Sequence, residues 1–117
     1  LMLSDNVWNW LEPATVAFEN VSRSEVENGI ASGDFQLFIT EHSAAVTCAF
    51  GRSLRIGLAG GDLDELLDME KDICDYALSH DFDSIEIIGR PGWERVLQGY
   101  RRTAVLMRKE LDSHGIH

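Results

Sequence analysis

The sequence has few of the features that mark membrane, secreted or metal-binding chains. No apolar run approaches the ~18 residues of a membrane-spanning helix, and no charged-then-apolar segment opens the chain. We therefore expect no transmembrane segment, no signal peptide and no membrane partner. Only two cysteines occur, Cys48 and Cys74, and they lack CxxC spacing, which predicts two reduced core thiols. The histidines show no metal-ligand spacing, so no metal site is expected.

Basic residues are also scarce. Ten lysines and arginines face twenty acids, for a net charge of -10, which argues against binding to a nucleic acid backbone. The charge is uneven: residues 62–86 hold ten acids and one base, whereas residues 90–109 hold six bases and one acid. Two interpretations stay open. The charges are solvated faces on neighbouring elements, or they form a bipolar surface that meets complementary surfaces in an assembly.

What is present is ordinary for one globular domain. The 117 residues and the 44% hydrophobic content are enough for a single modest core. Near the N-terminus, apolar residues at helical spacing predict a helix over residues 7–18 that Pro13 limits or kinks. A second, short helix is predicted from Ser22 to Gly33, because Ser22 and Glu25 have capping-box spacing and Gly33 is a typical stop.

The middle of the chain predicts a sheet. Three short runs, "DFQLFIT", "AAVTCAF" and "LRIGLA", are separated by polar turns and indicate an antiparallel meander. After Gly60-Gly61, Asp62 and Glu65 again have capping-box spacing, and an apolar face predicts a long helix to about Ser79. "SIEIIG" is predicted to be a strand covered on both faces.

The last part adds a short helix in "RPGWERVLQGY" and a final strand in "RRTAVLMRKEL". A strand–helix–strand crossover that follows a meander predicts an α/β fold of the α+β type with a mixed sheet. We expect one domain over residues 1–117, with its core in residues 22–111 and a frayed tail in residues 112–117.

Two segments, "LAGGDLDELL" and "GRPGWERVLQGYRRTAVLMRKEL", together with this element order, resemble the GNAT (GCN5-related N-acetyltransferase) superfamily over residues 22–111. The second segment is similar to small GNAT-like proteins of tailed bacteriophages. The resemblance implies an acetyl-CoA-dependent N-acetyltransferase in which an acceptor amine attacks the thioester directly. Backbone groups of Leu58, Gly60 and Gly61 would then contact the cofactor, and Glu86 is preferred over Glu41 and His42 as the general base.

The residues depart from the active-site pattern of that family. Leu58 stands where a Gln or Arg leads the pyrophosphate loop, and Gly60 and Gly61 are adjacent rather than alternating. Asp62 is the expected N-cap, so it would accept the N–H groups that a phosphate needs, and Asp64 and Glu65 add charge of the same sign. Arg95 occupies the position of the family's general-acid tyrosine and is a poor acid. We therefore expect no bound cofactor, with acetyl-CoA as the alternative.

The function expected from these departures is protein–protein interaction or self-assembly by a non-catalytic GNAT-like protein. Its resemblance to phage proteins implies a virion or assembly component, located in the host cytoplasm or the virion. The candidate interaction residues are two tryptophans and four arginines: Trp8, Trp93, Arg90, Arg95, Arg101 and Arg102. Core packing of the tryptophans, and pairing of the arginines with the acidic helix, remain the alternatives.

Overall fold

A computed structural model describes residues 2–88, 93–103, 107 and 109–111. Within them, four strands form one mixed sheet in the order β1-β2-β3-β4, which confirms the expected α+β class with a mixed sheet. The strands are β1 (Phe35–Ile39), β2 (Ser43–Phe50), β3 (Ser53–Gly61) and β4 (Ser84–Ile87). The first three are antiparallel neighbours, and β4 runs parallel to β3 after the crossover helix α3 (Leu63–Ser79).

The N-terminal helices differ from the expected single helix over residues 7–18. Helix α1 spans Asp5–Leu11, and the Oγ of Ser4 accepts a hydrogen bond from Val7 N at its start. A 3-10 helix then covers Glu12–Ala17, because Pro13 has no N–H to continue the α-helical ladder. Helix α2 spans Arg23–Ser32, with a complete Ser22–Glu25 capping box and Gly33 in the left-handed region at φ 87°.

The sheet separates two apolar clusters. Helices α1 and α2 cover one face, where Leu11, Val26 and Leu58 are buried with the rest of the first cluster. Helix α3 covers the other face, where Leu54 and Ile73 belong to the second cluster. The helices are therefore held to the sheet by burial of apolar surface on both sides.

A β-bulge at Gly57 decides which face each residue of β3 supplies. Val46 pairs with Leu58 and Thr47 pairs with Ile56, so Gly57 is the extra residue of β3. Before the bulge, Leu54 and Ile56 pack with the second cluster; after it, Leu58 packs with the first. Strict alternation would have placed all three on one face.

The C-terminal part corrects the sequence expectation. The short helix α4 (Trp93–Val96) is present, but residues 101–103, 107 and 109–111, which belong to the expected final strand, have no strand structure. Strand propensity is realised only against a partner edge, and apolar content does not show that one exists. β4 is also less covered than expected, since Ser84 is exposed and the other three residues are half-buried. The expected frayed tail, Arg90 and Pro91 lie outside the described residues.

No helix among the described residues has the length and apolar content needed to cross a membrane. Both cysteines are unpaired and partly buried. Burial raises the pKa of Cys48, and burial together with a hydrogen bond to Glu70 raises the pKa of Cys74 to about 11.

Candidate functional site

The start of α3, where a GNAT-type cofactor loop was considered, is capped by the chain itself. The Asp62 carboxylate accepts a hydrogen bond from Glu65 N at 3.0 Å, so Asp62 is the N-cap residue of α3. Asp64 and Glu65 add two more carboxylates in the first turn. The positive end of the helix dipole and the free N–H groups therefore already face negative charge from the protein.

Glu65 does not close the expected capping box with Asp62. Its carboxylate reaches the turn between β1 and β2 instead, where Oε1 accepts hydrogen bonds from Thr40 Oγ1 at 2.5 Å and from His42 N at 2.8 Å. Oε2 lies 3.0 Å from His42 Nδ1. In return, Asp62 N donates to His42 O at 3.0 Å. The spacing that predicted a capping box at Glu65 therefore produces a contact between distant segments.

These contacts shift the acid–base properties of both partners. The hydrogen bond from Thr40, followed by that from His42 N, lowers the pKa of Glu65 to about 2. The hydrogen bond to Glu65 is the largest cause that raises the pKa of His42, and nearby Glu41 adds to it. Glu65 is thus a stable carboxylate and a poor proton acceptor.

The three residues considered for cofactor contact have structural roles. The Leu58 side chain is buried in the first cluster. A Cβ added to Gly60 would lie 1.7 Å from the carbonyl oxygen of Trp10, so the end of α1 packs directly on this glycine. Gly61 has φ 114°, and a Cβ there would lie 2.2 Å from His42 O. Both glycines are required by the close approach of backbone.

An apolar pocket lies beside this loop, between the sheet, α3 and α4. Ile56 is the last β3 residue paired with β4, so β3 continues past the end of the pairing. The described lining is mainly apolar and includes Ile56, Ala59, Leu66, Ile73, Trp93 and Leu97. Glu70 is the charged residue in that described lining, and its Oε2 accepts hydrogen bonds from Tyr100 Oη at 2.8 Å and Cys74 Sγ at 3.1 Å. Burial and this carboxylate raise the pKa of Tyr100.

The candidate bases do not converge. Glu86 on β4 is held by Arg55 of β3, whose Nε and Nη2 donate to Glu86 Oε1 at 3.0 and 2.8 Å. The Glu86 carboxylate is therefore engaged in an ion pair with β3. Glu41 and His42 lie near the opposite end of β3, where Ser43 pairs with Gly61. The structure therefore does not bring Glu86 together with the other two.

The proposed interaction residues fall into two groups. Trp8 and Trp93 are partly buried and pack against the first and second apolar clusters, as the core-packing alternative expects, and part of each residue stays exposed to solvent. Arg95, Arg101 and Arg102 are exposed, and Arg90 lies outside the described residues. Among the described ion pairs, none joins Arg95 or Arg101 to a carboxylate of α3.

The outer face of α3 is strongly acidic. Four exposed carboxylates follow one another at helical spacing along it: Asp64, Asp68, Asp72 and Asp75. Lys71 lies 3.5 Å from Asp68, and both side chains are exposed, so this ion pair neutralises little of the face. We call these four aspartates the α3 acidic face.

The sequence-based interpretation missed two clusters. The Thr40–His42–Glu65 contacts require the β1–β2 turn to lie beside α3, and the only local signal was a capping-box spacing that indicated another role. The Glu70–Cys74 pair was visible as an i, i+4 spacing, but the third member, Tyr100, comes from a distant segment.

The described residues contain no group of three or more His, Cys, Asp or Glu side chains suited to a metal ion. No protein-family model, curated protein or solved structure was found to match the chain.

Proposed function

We propose that this chain is a non-catalytic, GNAT-like protein that acts through protein–protein contacts. The observation that carries the proposal is that the chain caps the start of α3 itself. The Asp62 carboxylate accepts the hydrogen bond from Glu65 N, and the Glu65 carboxylate accepts hydrogen bonds from the β1–β2 turn. A cofactor pyrophosphate would have to displace one carboxylate and approach two more. The resemblance to small phage proteins makes a virion or assembly component the setting that we propose.

The first test is thermal unfolding with acetyl-CoA titrated into the millimolar range, at low and moderate salt. A ligand at about 100 times its Kd adds roughly 2.7 kcal/mol to the free energy of unfolding, which is a shift of several degrees for a domain of this size. We expect no shift for the wild-type protein. A clear shift would overturn the proposal.

Asp62→Ser is the matched variant for this test. Serine keeps an N-cap oxygen and removes the charge, so the fold is preserved while the anion is taken away. A shift in melting temperature in Asp62→Ser alone would show that the Asp62 carboxylate excludes the cofactor. If acetyl-CoA does not raise the melting temperature of Asp62→Ser, the loop also lacks other features that are needed to bind the cofactor.

The contact surface that we propose is the α3 acidic face, and its partner is a basic protein surface or the exposed arginines of a second copy. The charges on α3 and in residues 95–109 have opposite signs, which favours a head-to-tail contact. Contacts of this kind weaken as salt increases, because surface charges are screened within about 10 Å at 0.1 M.

Sedimentation velocity at low and high salt tests self-association. One variant replaces the four aspartates of the α3 acidic face by asparagine. A control variant removes four exposed carboxylates elsewhere, giving an equal change in net charge: Glu12→Gln, Glu19→Gln, Asp34→Asn and Asp81→Asn. We expect salt-sensitive association in the wild-type and control proteins only. Equal association of the wild-type protein, the α3 variant and the control variant would show that the α3 acidic face is not part of the contact.

A second candidate function is an acetyl-CoA-dependent N-acetyltransferase. The part of β3 that continues beyond its last pair with β4 favours it. On this alternative, the backbone of Leu58, Gly60 and Gly61 would contact the cofactor, and Glu86 would have to leave Arg55 to act as a base. Stabilisation of the wild-type protein by acetyl-CoA separates this candidate from the first.

A further inference from the structure

One carboxylate joins two segments that are far apart in the chain. Glu65, in the first turn of α3, accepts hydrogen bonds from Thr40 Oγ1 and His42 N and contacts His42 Nδ1. Asp62 N donates to His42 O in the reverse direction. The β1–β2 turn is thereby held to the start of α3 by four polar contacts, and one of them involves an imidazole that changes charge near neutral pH.

We propose that these four residues, Thr40, His42, Asp62 and Glu65, form a proton-dependent latch that holds the β1–β2 turn against α3 most tightly when the His42 imidazole is protonated. The inference goes beyond the proposed function and does not depend on it. It stands on the position of the Glu65 carboxylate, whose Oε2 lies 3.0 Å from Nδ1 of the titratable His42 ring. The partner element is a turn, which opens at lower cost than a packed strand or helix.

Every charged group that faces the His42 ring in the described residues is negative. Glu65 faces it from α3 at 3.0 Å, and Glu41 faces it from the same turn, with its Oε1 4.0 Å from Nε2. Asp62 adds a more distant negative charge from the residue before α3. Each of these carboxylates favours the imidazolium form of His42 over the neutral form.

The direction of the pH effect follows from these charges. The pKa of His42 is raised from 6.5, so its contribution to the latch is complete below that value and is lost as the pH rises through the raised pKa. The pKa of Glu65 is lowered from 4.5 to about 2, so its contribution is complete above 4.5 and is lost as the pH falls towards 2. The latch is tightest between these limits and loosens in mild alkali.

The neutral ring does not lose the contact entirely. A neutral imidazole still donates from Nδ1 in one of its two tautomers, whereas the imidazolium always does so. The side chain of His42 is 64% exposed, so water competes for the same proton. Proton loss therefore loosens the latch by degrees, and Thr40 and the His42 amide remain bound to Glu65.

The experiment is an NMR titration of the His42 ring in wild-type protein and in Glu65→Gln, combined with hydrogen exchange of the His42 and Asp62 amides. Glutamine keeps an acceptor oxygen for Thr40 and the amide but carries no charge. We expect the pKa of His42 to fall in Glu65→Gln, and each unit of decrease corresponds to a tenfold weaker coupling between protonation and closure. His80, which follows the last residue of α3, provides an internal reference ring far from the substitution.

Amide exchange measures the opening itself. After correction for the intrinsic exchange rate, opening of the turn in wild-type protein should increase between about pH 6 and about pH 8. In His42→Gln, where nothing titrates in this range at the latch, the opening should not change with pH. Equal pKa values for His42 in wild-type protein and Glu65→Gln would overturn the proposal.

If Glu65→Gln does not fold, the wild-type protein still decides the question. Opening that is independent of pH over this range, or that follows the same pH dependence in His42→Gln, would also overturn it.

Discussion

At the scale of single residues, two carboxylates at the start of α3 have separate roles although their spacing suggests a single motif. Asp62 caps the helix, and Glu65 contacts the β1–β2 turn. The difference arises because the turn offers Glu65 a hydroxyl and a backbone amide in good geometry, and these outcompete the N-cap amide. The Asp62 amide is itself bonded to His42 O, so it is not free to complete a capping box.

The N-cap role of Asp62 predicts the outcome of two substitutions. Asp62→Ala removes the acceptor of Glu65 N and should lower the free energy of unfolding by about 0.5–2 kcal/mol. Asp62→Asn keeps an equally good cap oxygen and should stay within a few tenths of a kcal/mol of wild type. Urea unfolding followed by circular dichroism measures both. An equal loss in the two variants would assign the effect to charge and not to the cap.

At the scale of elements, the packing of α1 on β3 depends on glycine. The Trp10 carbonyl lies where the Cβ of residue 60 would be, and the Phe18 ring lies within 2.7 Å of the Cβ position of Gly57. The bulge at Gly57 also moves Leu58 to the α1 face. Close contact between the N-terminal helices and the sheet thus requires two residues without side chains, one of which, Gly57, is also the extra residue of the bulge.

This packing predicts that Gly60→Ala is strongly destabilising. The added methyl group would overlap a backbone carbonyl, which cannot rotate away, so α1 has to shift and the free energy of unfolding should fall by about 3 kcal/mol or more. Gly51→Ala is the control. Gly51 has φ 62° but open space around its Cβ position, so that variant loses only the backbone preference, about 1–2 kcal/mol. Urea unfolding should rank Gly60→Ala clearly below Gly51→Ala.

At the scale of the whole molecule, the charge distribution opposes the fold at low salt. The net charge is -10, and the α3 acidic face places like charges three or four residues apart on one helix. Such neighbours destabilise a helix by about 0.2–0.5 kcal/mol each. The pairs Arg55–Glu86 and Arg23–Glu27 are partly shielded from solvent, and each of the other described pairs has at least one side chain that is more than half exposed and contributes less.

The protein should therefore become more stable when salt is added. Between about 10 mM and about 150 mM NaCl the screening length falls from roughly 30 Å to 8 Å, and we expect the free energy of unfolding to rise by about 1 kcal/mol. The variant with four asparagines on the α3 acidic face should lose most of this increase. A decrease in stability with salt would mean that the cross-structure ion pairs outweigh the repulsion on α3.

The helix ends were largely determined by the sequence itself. The Ser22–Glu25 box, Gly33, the Asp62 cap and the extent of α3 to Ser79 can be read locally, because a cap or a stop uses partners within a few residues. The meander was readable for the same reason, since its tight turns join strands that are adjacent in the chain. The polar β1–β2 turn and the acidic start of α3 were each visible, although their contact was not.

Only the tertiary structure decided which distant groups meet. It paired Glu65 with His42 and Glu86 with Arg55. The bulge moved Leu58 to the opposite face of the sheet. The described residues of the expected final strand have no strand structure. Each of these depends on a partner many residues away, whose position follows from the packing of the whole sheet. A carboxylate in the first turn of a helix has the same local sequence whether it completes a cap or contacts a neighbouring turn, and only the position of that turn decides between the two.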